Sequence, residues 1–145
     1  MKKLCFLFGN RNAPEHISLK ILDAARYCYL QQGVRIFIVG HYGNFDRLAG
    51  SAIKQLKIEL PDITLLMLIP YHPSERPVDL LPGWDGTFYP EGMERVPRQY
   101  AIVRANEYMA RNCDCAICYA PLPGNARNLR NKITRQQVLL IDLSD

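Results

Sequence analysis

The sequence predicts an α/β fold, a three-layer Rossmann-like doubly wound parallel sheet of about five strands. Short apolar runs alternate with stretches of helical periodicity, a pattern typical of parallel strands that are buried on both faces. No hairpin signal joins consecutive runs. Right-handed crossovers would place the helices on both faces, so we expect the strand order 3-2-1-4-5.

The elements follow one another with short connections except in one place. Strands are expected at residues 4–8, 34–39, 63–69, 114–119 and 138–143. Helices are expected from Pro14 to Gly33, from Phe45 to Leu60, from Pro97 onward, and at about 126–133. The proline-rich segment 70–96 breaks both periodicities, and a loop of this length is usually functional or mobile. Within it, residues 87–89 are expected to form a short extended piece.

Size and composition predict a single domain that spans residues 1–145. Apolar residues make up 48% of the chain and charged residues 22%, which is ordinary for a globular protein. No apolar run approaches the roughly 18 residues that a membrane span needs, and the start of the chain does not have the pattern of a signal peptide. We therefore expect a cytoplasmic protein with no membrane partner.

The fold class itself predicts where a ligand binds. In open parallel sheets, ligands lie beyond the carboxyl ends of the strands, where the strand order reverses. Here that point falls between the first and fourth strands, so the loops at 9–13, 40–45 and 120–125 should line one crevice. The candidate ligand-binding residues in and beside these loops are Gly9, Asn10, Arg11, Gly40, Gly43, Asn44, Phe45, Asp46, Gly124 and Asn125.

The chemistry of these loops favours a phosphate-bearing small molecule. Glycines let backbone N–H groups approach a ligand, and the N-terminus of the following helix favours an anion. Arg11 could grip a phosphate in fork geometry, or form a salt bridge to a neighbouring helix. Asp46 could accept a hydrogen bond from a ribose hydroxyl, or cap its helix. His41 could act as an acid or base, although a loop histidine is more often simply solvated.

The segment 70–96 is expected to fold partly across the strand ends. Trp84, Phe88 and Tyr89 would anchor it, and Tyr89 and Glu91 would reach the pocket rim. Glu91 is then the candidate general base, the alternative being a surface acid in a turn. Further ligand-binding candidates on the following helix are Arg98, Arg104 and Asn106.

Cysteines and basic residues supply two weaker signals. The motif Cys113-x-Cys115-x-x-Cys118 lies in or beside a buried strand and lacks four convergent ligands, so we expect buried thiols, no metal and no cofactor. The net charge is +4, with a basic cluster near the end of the chain. That cluster suits nucleic acid, or complements the dipole of its own helix. Its members are Arg127, Arg130, Lys132 and Arg135.

The order of motifs resembles the SLOG superfamily, which includes the LOG phosphoribohydrolases and DNA-processing protein A, and most of all its small single-domain Firmicutes members. The matching pieces span residues 5 to 119. They are Phe8-Gly9-Asn10-Arg11-Asn12-Ala13-Pro14-Glu15, Val39-Gly40, Gly43-Asn44-Phe45-Asp46-Arg47, Tyr89-Pro90-Glu91-Gly92, Pro97-Arg98 and Arg104-Ala105-Asn106. The paired glycines that the family has at two turns are Gly43-Asn44 and Gly124-Asn125 here. The LOG motif P-G-G-x-G-T-x-x-E is absent.

The resemblance implies a pocket for a nucleotide derivative and a homodimer. Our leading hypothesis is accordingly a protein that binds or senses a nucleotide or nucleotide derivative. One alternative is a LOG-type nucleoside-monophosphate N-glycosidic hydrolase, in which Glu91 activates water and Arg11 or Arg98 holds the phosphate. The other is a nucleic-acid-binding domain that uses the C-terminal basic helix.

Overall fold

The computed structural model describes residues 2–144, which form one six-stranded parallel sheet with helices on both faces. The strands are β1 (Lys3–Gly9), β2 (Val34–Val39), β3 (Thr64–Leu68), β4 (Gly86–Phe88), β5 (Cys115–Tyr119) and β6 (Leu139–Asp142). The helices are α1 (Ser18–Gln32), α2 (Asn44–Glu59), α3 (Ala101–Asn112) and α4 (Asn125–Ile133). Single 3₁₀ turns lie at Glu15–Ile17, Met93–Arg95 and Arg98–Tyr100. The predicted α/β three-layer class is confirmed.

The strand order is β4-β3-β2-β1-β5-β6. Its last five strands reproduce the predicted order 3-2-1-4-5, and every pairing is parallel. The additional strand, β4, lies at the edge beside β3, where Leu66 pairs with Gly86 and Leu68 with Phe88. The sequence predicted this piece only as a short extended stretch. In addition, α1 begins at Ser18, because Pro14 and the 3₁₀ turn precede it.

Alternate side chains of the central strands point to opposite faces of the sheet and pack into two separate hydrophobic layers. Leu7 and Phe37 pack with α1 and α2 on one face of the sheet. Phe6, Phe8 and Ile38 pack with α3 and α4 on the other. Complete burial of each large apolar side chain contributes about 1.5–3 kcal/mol, so both faces of the sheet are held tightly. The carboxyl ends of the strands are therefore fixed beside the N-termini of the helices.

The segment 70–96 wraps around the β3 edge of the sheet. The Trp84 ring lies over α2, where a Cβ added to Gly50 would stand 3.0 Å from the ring. An Asp85 carboxylate oxygen accepts hydrogen bonds from Lys57 Nζ at 2.5 Å and from the Leu65 N–H at 2.8 Å. Met93 is buried further along. Trp84 is thus an anchor, as predicted, but it anchors the segment to the side of the sheet.

The five cysteines are buried free thiols. Burial raises the pKa of Cys113 to about 11 and that of Cys118 to about 12, which keeps both thiols protonated at neutral pH. Among residues 2–144, no group of three His, Cys, Asp or Glu side chains could hold a metal ion. Within the same residues, no helix is both long enough and apolar enough to cross a bilayer.

Replacement of Asp85 tests how the wrapping segment is attached. Asp85→Ala removes the acceptor of both the Leu65 N–H and Lys57, whose side chain is only 19% exposed. We expect the free energy of unfolding to fall by about 2 kcal/mol, measured by urea denaturation. Asp79→Ala is the matched control, because Asp79 is exposed and has no partner within residues 2–144. Equal stability of the two variants would contradict this attachment.

Candidate functional site

A cavity of about 320 Å³ lies at the carboxyl ends of the central strands. This volume is within the range of small-molecule sites. Its floor is the end of β1, and the turns after β1, β2 and β5 form its walls. Eight of the predicted ligand-binding residues line it: Gly9, Asn10, Arg11, Gly40, Asp46, Asn106, Gly124 and Asn125.

Two glycines let the first turn of α2 lie directly on the strand ends. A Cβ at Gly9 would stand 2.5 Å from Cγ of the buried Phe45 ring and 2.9 Å from the Tyr119 carbonyl oxygen. A Cβ at Gly40 would stand 2.8 Å from an Asp46 carboxylate oxygen. Real Cβ atoms essentially never come this close, so a larger residue at Gly9 would displace the Phe45 ring or the backbone, and one at Gly40 would displace the Asp46 carboxylate. Phe45 is therefore a packing residue outside the cavity lining.

The turn at Gly43 is filled by the chain itself. Gly43 has φ 146°, and a Cβ there would stand 2.9 Å from the Arg11 Cα. The Asn44 N–H donates to the Arg11 carbonyl at 2.9 Å. The Asn44 side chain donates to the Ala13 carbonyl at 2.5 Å and accepts from Arg47 Nε at 2.9 Å. Gly43 and Asn44 thus join the loop after β1 to α2 and do not line the cavity.

The turn at Gly124 has nearly the same backbone but is open. Gly124 has φ 141°, and no atom lies within 4 Å of a Cβ added there. Gly124 is the N-cap of α4, no side chain within residues 2–144 caps the helix, and its first turn carries no acidic residue. The next two residues, Asn125 and Ala126, line the cavity. The positive end of α4 is thus directed at open space.

Asp46 is the carboxylate in the cavity wall. One of its oxygens accepts a hydrogen bond from the Tyr42 N–H at 3.0 Å. Burial raises the pKa of Asp46 to about 6, while the Tyr42 N–H and the positive charge of Arg11 partly oppose that shift. Because its pKa is close to neutrality, Asp46 can accept or donate a hydrogen bond under mild conditions.

Arg11 is the cation of the cavity wall, and the neighbouring Asn10 fixes the position of the turn by hydrogen bonds. Arg11 is exposed and forms no salt bridge with any residue in 2–144. The Asn10 N–H donates to the Tyr119 carbonyl at 2.9 Å, and its Oδ1 accepts from the Leu122 N–H at 3.2 Å. Asn10 therefore holds the turn after β1 against the turn after β5, which leaves the Arg11 guanidinium available to a ligand.

The remaining predicted residues lie elsewhere. Glu91 is exposed in a turn and does not line the cavity. Arg104 lies 3.8 Å from Glu107 on the surface of α3. The Arg98 guanidinium lies 5.9 Å from the Tyr71 ring centroid, and both residues line a second cavity. The segment 70–96 contributes only Pro70 to the first cavity, so it does not cover it. His41 is exposed and contacts the Tyr42 ring.

The basic residues of α4 mostly bind other parts of the chain. Arg127 donates to the Ala120 carbonyl at 3.3 Å and also to the Pro121 carbonyl. Arg130 lies 3.3 Å from Asp142, and Lys132 lies 2.5 Å from Glu107. The arginines therefore shape the turn that precedes α4. Arg135 is exposed and has no partner within residues 2–144.

Four residues of the cavity wall lie in turns that were expected to line the crevice but were not named individually: Asn12, Tyr42, Leu122 and Pro123. Sequence reasoning missed Leu68, Pro70, Ile102, Ala105, Ala126 and Leu129. In the sequence, Ile102 and Ala105 belong to the apolar face of a predicted helix, and no local pattern indicates that they line a cavity.

Comparisons with known proteins identify the fold and not the family. Neither a family model nor a curated protein matches the chain. Among solved structures, the chain is similar to the molybdenum cofactor binding protein from the phototrophic bacterium Rippkaea orientalis. The TM-score is 0.64 at 11% sequence identity, and the match covers 98% of this chain and 77% of the other. Similarity at this identity supports the parallel α/β fold alone.

The raised pKa of Asp46 predicts how a substitution changes stability with pH. Because folding raises this pKa from 3.8 to about 6, the folded state holds the proton more tightly, and stability is lost as pH rises through that interval. Asp46→Asn should therefore gain stability relative to the native protein as pH rises from 4 to 7. We expect a gain on the order of 1 kcal/mol after allowance for solvent screening.

Urea denaturation at several pH values measures this difference. Asp79→Asn serves as the control, because Asp79 is exposed and has no partner within residues 2–144. A stability difference between Asp46→Asn and the native protein that stays flat, or falls, between pH 4 and 7 would contradict the burial of this carboxylate.

Proposed function

We propose that this chain binds a phosphate-bearing small molecule, a nucleotide or nucleotide derivative, in the cavity at the strand ends. The observation that carries the proposal is the open N-terminus of α4. It faces the same cavity as the free guanidinium of Arg11 and the carboxylate of Asp46. A phosphorylated sugar has both groups that such a site recognises, an anion and neighbouring hydroxyls.

The phosphate is assigned to α4 and not to α2. Both helices begin at a glycine, but the first turn of α2 carries Asp46, whose negative charge repels an anion. The first turn of α4 carries no acid, and the N–H groups of its first residues lack partners inside the helix. Arg11 lines the same cavity and adds a charge-assisted hydrogen bond.

The hydroxyl groups are assigned to Asp46. An ionised carboxylate accepts hydrogen bonds only, so a sugar with neighbouring hydroxyls is its natural partner. The cost of keeping Asp46 ionised in a partly buried position is an argument for function, since stability alone would favour an amide there. The solved neighbour, described as a molybdenum cofactor binding protein, is compatible with small-molecule binding on this fold.

Binding is a better-supported function than either alternative. The hydrolase hypothesis needs Glu91 beside the ligand, whereas this residue is exposed in a turn away from the cavity wall. The nucleic-acid hypothesis needs free cations on α4, but Arg127, Arg130 and Lys132 bind carbonyls or carboxylates of the chain. Membership of the SLOG superfamily, a homodimer and a cytoplasmic location stay predictions.

Replacement of Arg11 tests the proposed function. We expect native protein to bind ribose 5-phosphate, and Arg11→Ala to bind it roughly tenfold to a hundredfold more weakly, because one charge-assisted contact is lost. Isothermal titration calorimetry measures both constants. Arg135→Ala is the charge-matched control, because Arg135 is exposed and lies outside the cavity wall.

Two outcomes would refute the proposal. The first is that neither ribose 5-phosphate nor a nucleoside monophosphate binds. The second is that Arg11→Ala and Arg135→Ala weaken binding equally, since the loss would then reflect net charge and not the cavity.

A further inference from the structure

A second cavity of about 280 Å³ adjoins the first one. The two share Pro70 as a wall, and Ala101 of the second cavity is followed in the chain by Ile102 of the first. The second cavity lies between the beginning of the segment 70–96 and its end. Nothing in the proposed function so far uses it.

Three aromatic side chains line this second cavity. The rings of His72 and Tyr89 meet edge to face, with centroids 5.5 Å apart and planes at 85°. His72 is held in place, because its Nδ1 accepts a hydrogen bond from the Ser74 N–H at 3.1 Å. The Tyr71 ring carries the Arg76 guanidinium 4.0 Å from its centroid. These contacts fix the rings in advance, and all three residues line the cavity.

Charged groups at the cavity wall can form hydrogen bonds with the polar edge of a planar ligand. Glu75 and Glu94 are exposed acids of the lining, and neither forms a salt bridge within residues 2–144. Glu75 and Glu94 line the same cavity as Tyr89, and their charges, after burial, raise the pKa of that tyrosine. Carboxylates accept hydrogen bonds from amino groups. A ring with an exocyclic amine fits such an edge better than one that has only carbonyls.

Tyr42 and Tyr71 connect the two cavities. Tyr42 lines the first and Tyr71 the second. Burial raises the pKa of Tyr42, the neighbouring Tyr71 raises it further, and Arg76 and Arg11 oppose the shift. The Arg76 guanidinium contacts the Tyr71 ring, and both groups act electrostatically on Tyr42. A ligand that passes from one cavity to the other would meet aromatic and cationic groups along the way.

We propose that the second cavity is the subsite for an amino-bearing nucleobase, so that one nucleotide spans both cavities with its phosphate at α4 and its base among Tyr71, His72 and Tyr89. This inference rests on the proposed function and narrows its ligand class. Stacking on an aromatic side chain gives affinity for any base, and the Glu75 and Glu94 carboxylates select bases that carry an amine, such as adenine.

Calorimetry with four probes tests the subsite: ribose 5-phosphate, adenosine 5′-monophosphate, inosine 5′-monophosphate and adenosine. We expect adenosine monophosphate to bind roughly tenfold or more tightly than ribose 5-phosphate, because the base adds stacking. Inosine monophosphate, which has a carbonyl in place of the amine, should bind between the two. Adenosine should bind weakly.

Two variants place the effect in the second cavity. Tyr71→Leu should bring the affinity for adenosine monophosphate to within about threefold of that for ribose 5-phosphate and leave ribose 5-phosphate unchanged. Glu94→Gln keeps the shape of the side chain and should remove the preference for adenosine over inosine monophosphate. Tyr27→Leu is the control, because Tyr27 is an exposed tyrosine on α1 that lines neither cavity.

The outcomes separate this inference from the proposed function. If ribose 5-phosphate binds and adenosine monophosphate binds no tighter, the subsite is refuted and the proposed function stands. Equal effects of Tyr71→Leu and Tyr27→Leu would refute it as well. If no phosphate-bearing probe binds, both proposals fail even where adenosine binds, because neither a phosphate at α4 nor a nucleotide across both cavities would then be supported.

Discussion

The close packing of the first turn of α2 on the ends of β1 and β2 is the contact on which the cavity depends. Gly9 and Gly40 permit it, because a Cβ at either position would overlap Phe45 or Asp46. Complete burial of the Phe45 ring stabilises the contact. The same turn carries the Asp46 carboxylate into the cavity wall. A larger residue at Gly9 would therefore disturb the packing of α2 on the sheet, and one at Gly40 would displace the Asp46 carboxylate from the cavity wall.

The turns at Gly43 and Gly124 have nearly the same backbone conformation, but their neighbours give them different roles. Gly43 has φ 146° and ψ 179°, and Gly124 has φ 141° and ψ −164°. The chain at Arg11 fills the first turn, and an acid follows it. The second turn is open, and no acid follows it within the first turn of α4. Local conformation alone does not define an anion site, which also needs empty space and a favourable charge.

Much of the fold was predictable because its signals are local. Each apolar run is buried on both faces. The helices between the runs must form right-handed crossovers, which restricts the sheet to a few strand orders. The edge strand β4 was not predictable as a strand, since three residues carry no periodicity and their pairing depends on β3. The path of the segment 70–96 depends on where Trp84 docks. Its ring packs against Gly50 on α2, which is distant from it in the sequence.

The candidate site was predictable in its location and less so in its details. The strand ends and their turns follow from the topology, which places Arg11, Asp46 and Gly124 correctly at one cavity. Asn44 was expected to bind a ligand, but its side chain bonds to Ala13, 31 residues away. Such long-range hydrogen bonds decide which polar side chains remain free, and no sequence pattern records them. The second cavity depends on tertiary contacts throughout.

The assignment of the phosphate to the open N-terminus of α4 can be tested by amide chemical shifts, followed by nuclear magnetic resonance during titration with ribose 5-phosphate. A phosphate bound there should give the largest shift changes at the amides of Asn125 and Ala126, with smaller changes at Phe45, whose turn is filled. If the ligand binds while the largest changes fall at Phe45, Glu91 or Arg135, and Asn125 and Ala126 do not move, the assignment of the phosphate to α4 is wrong.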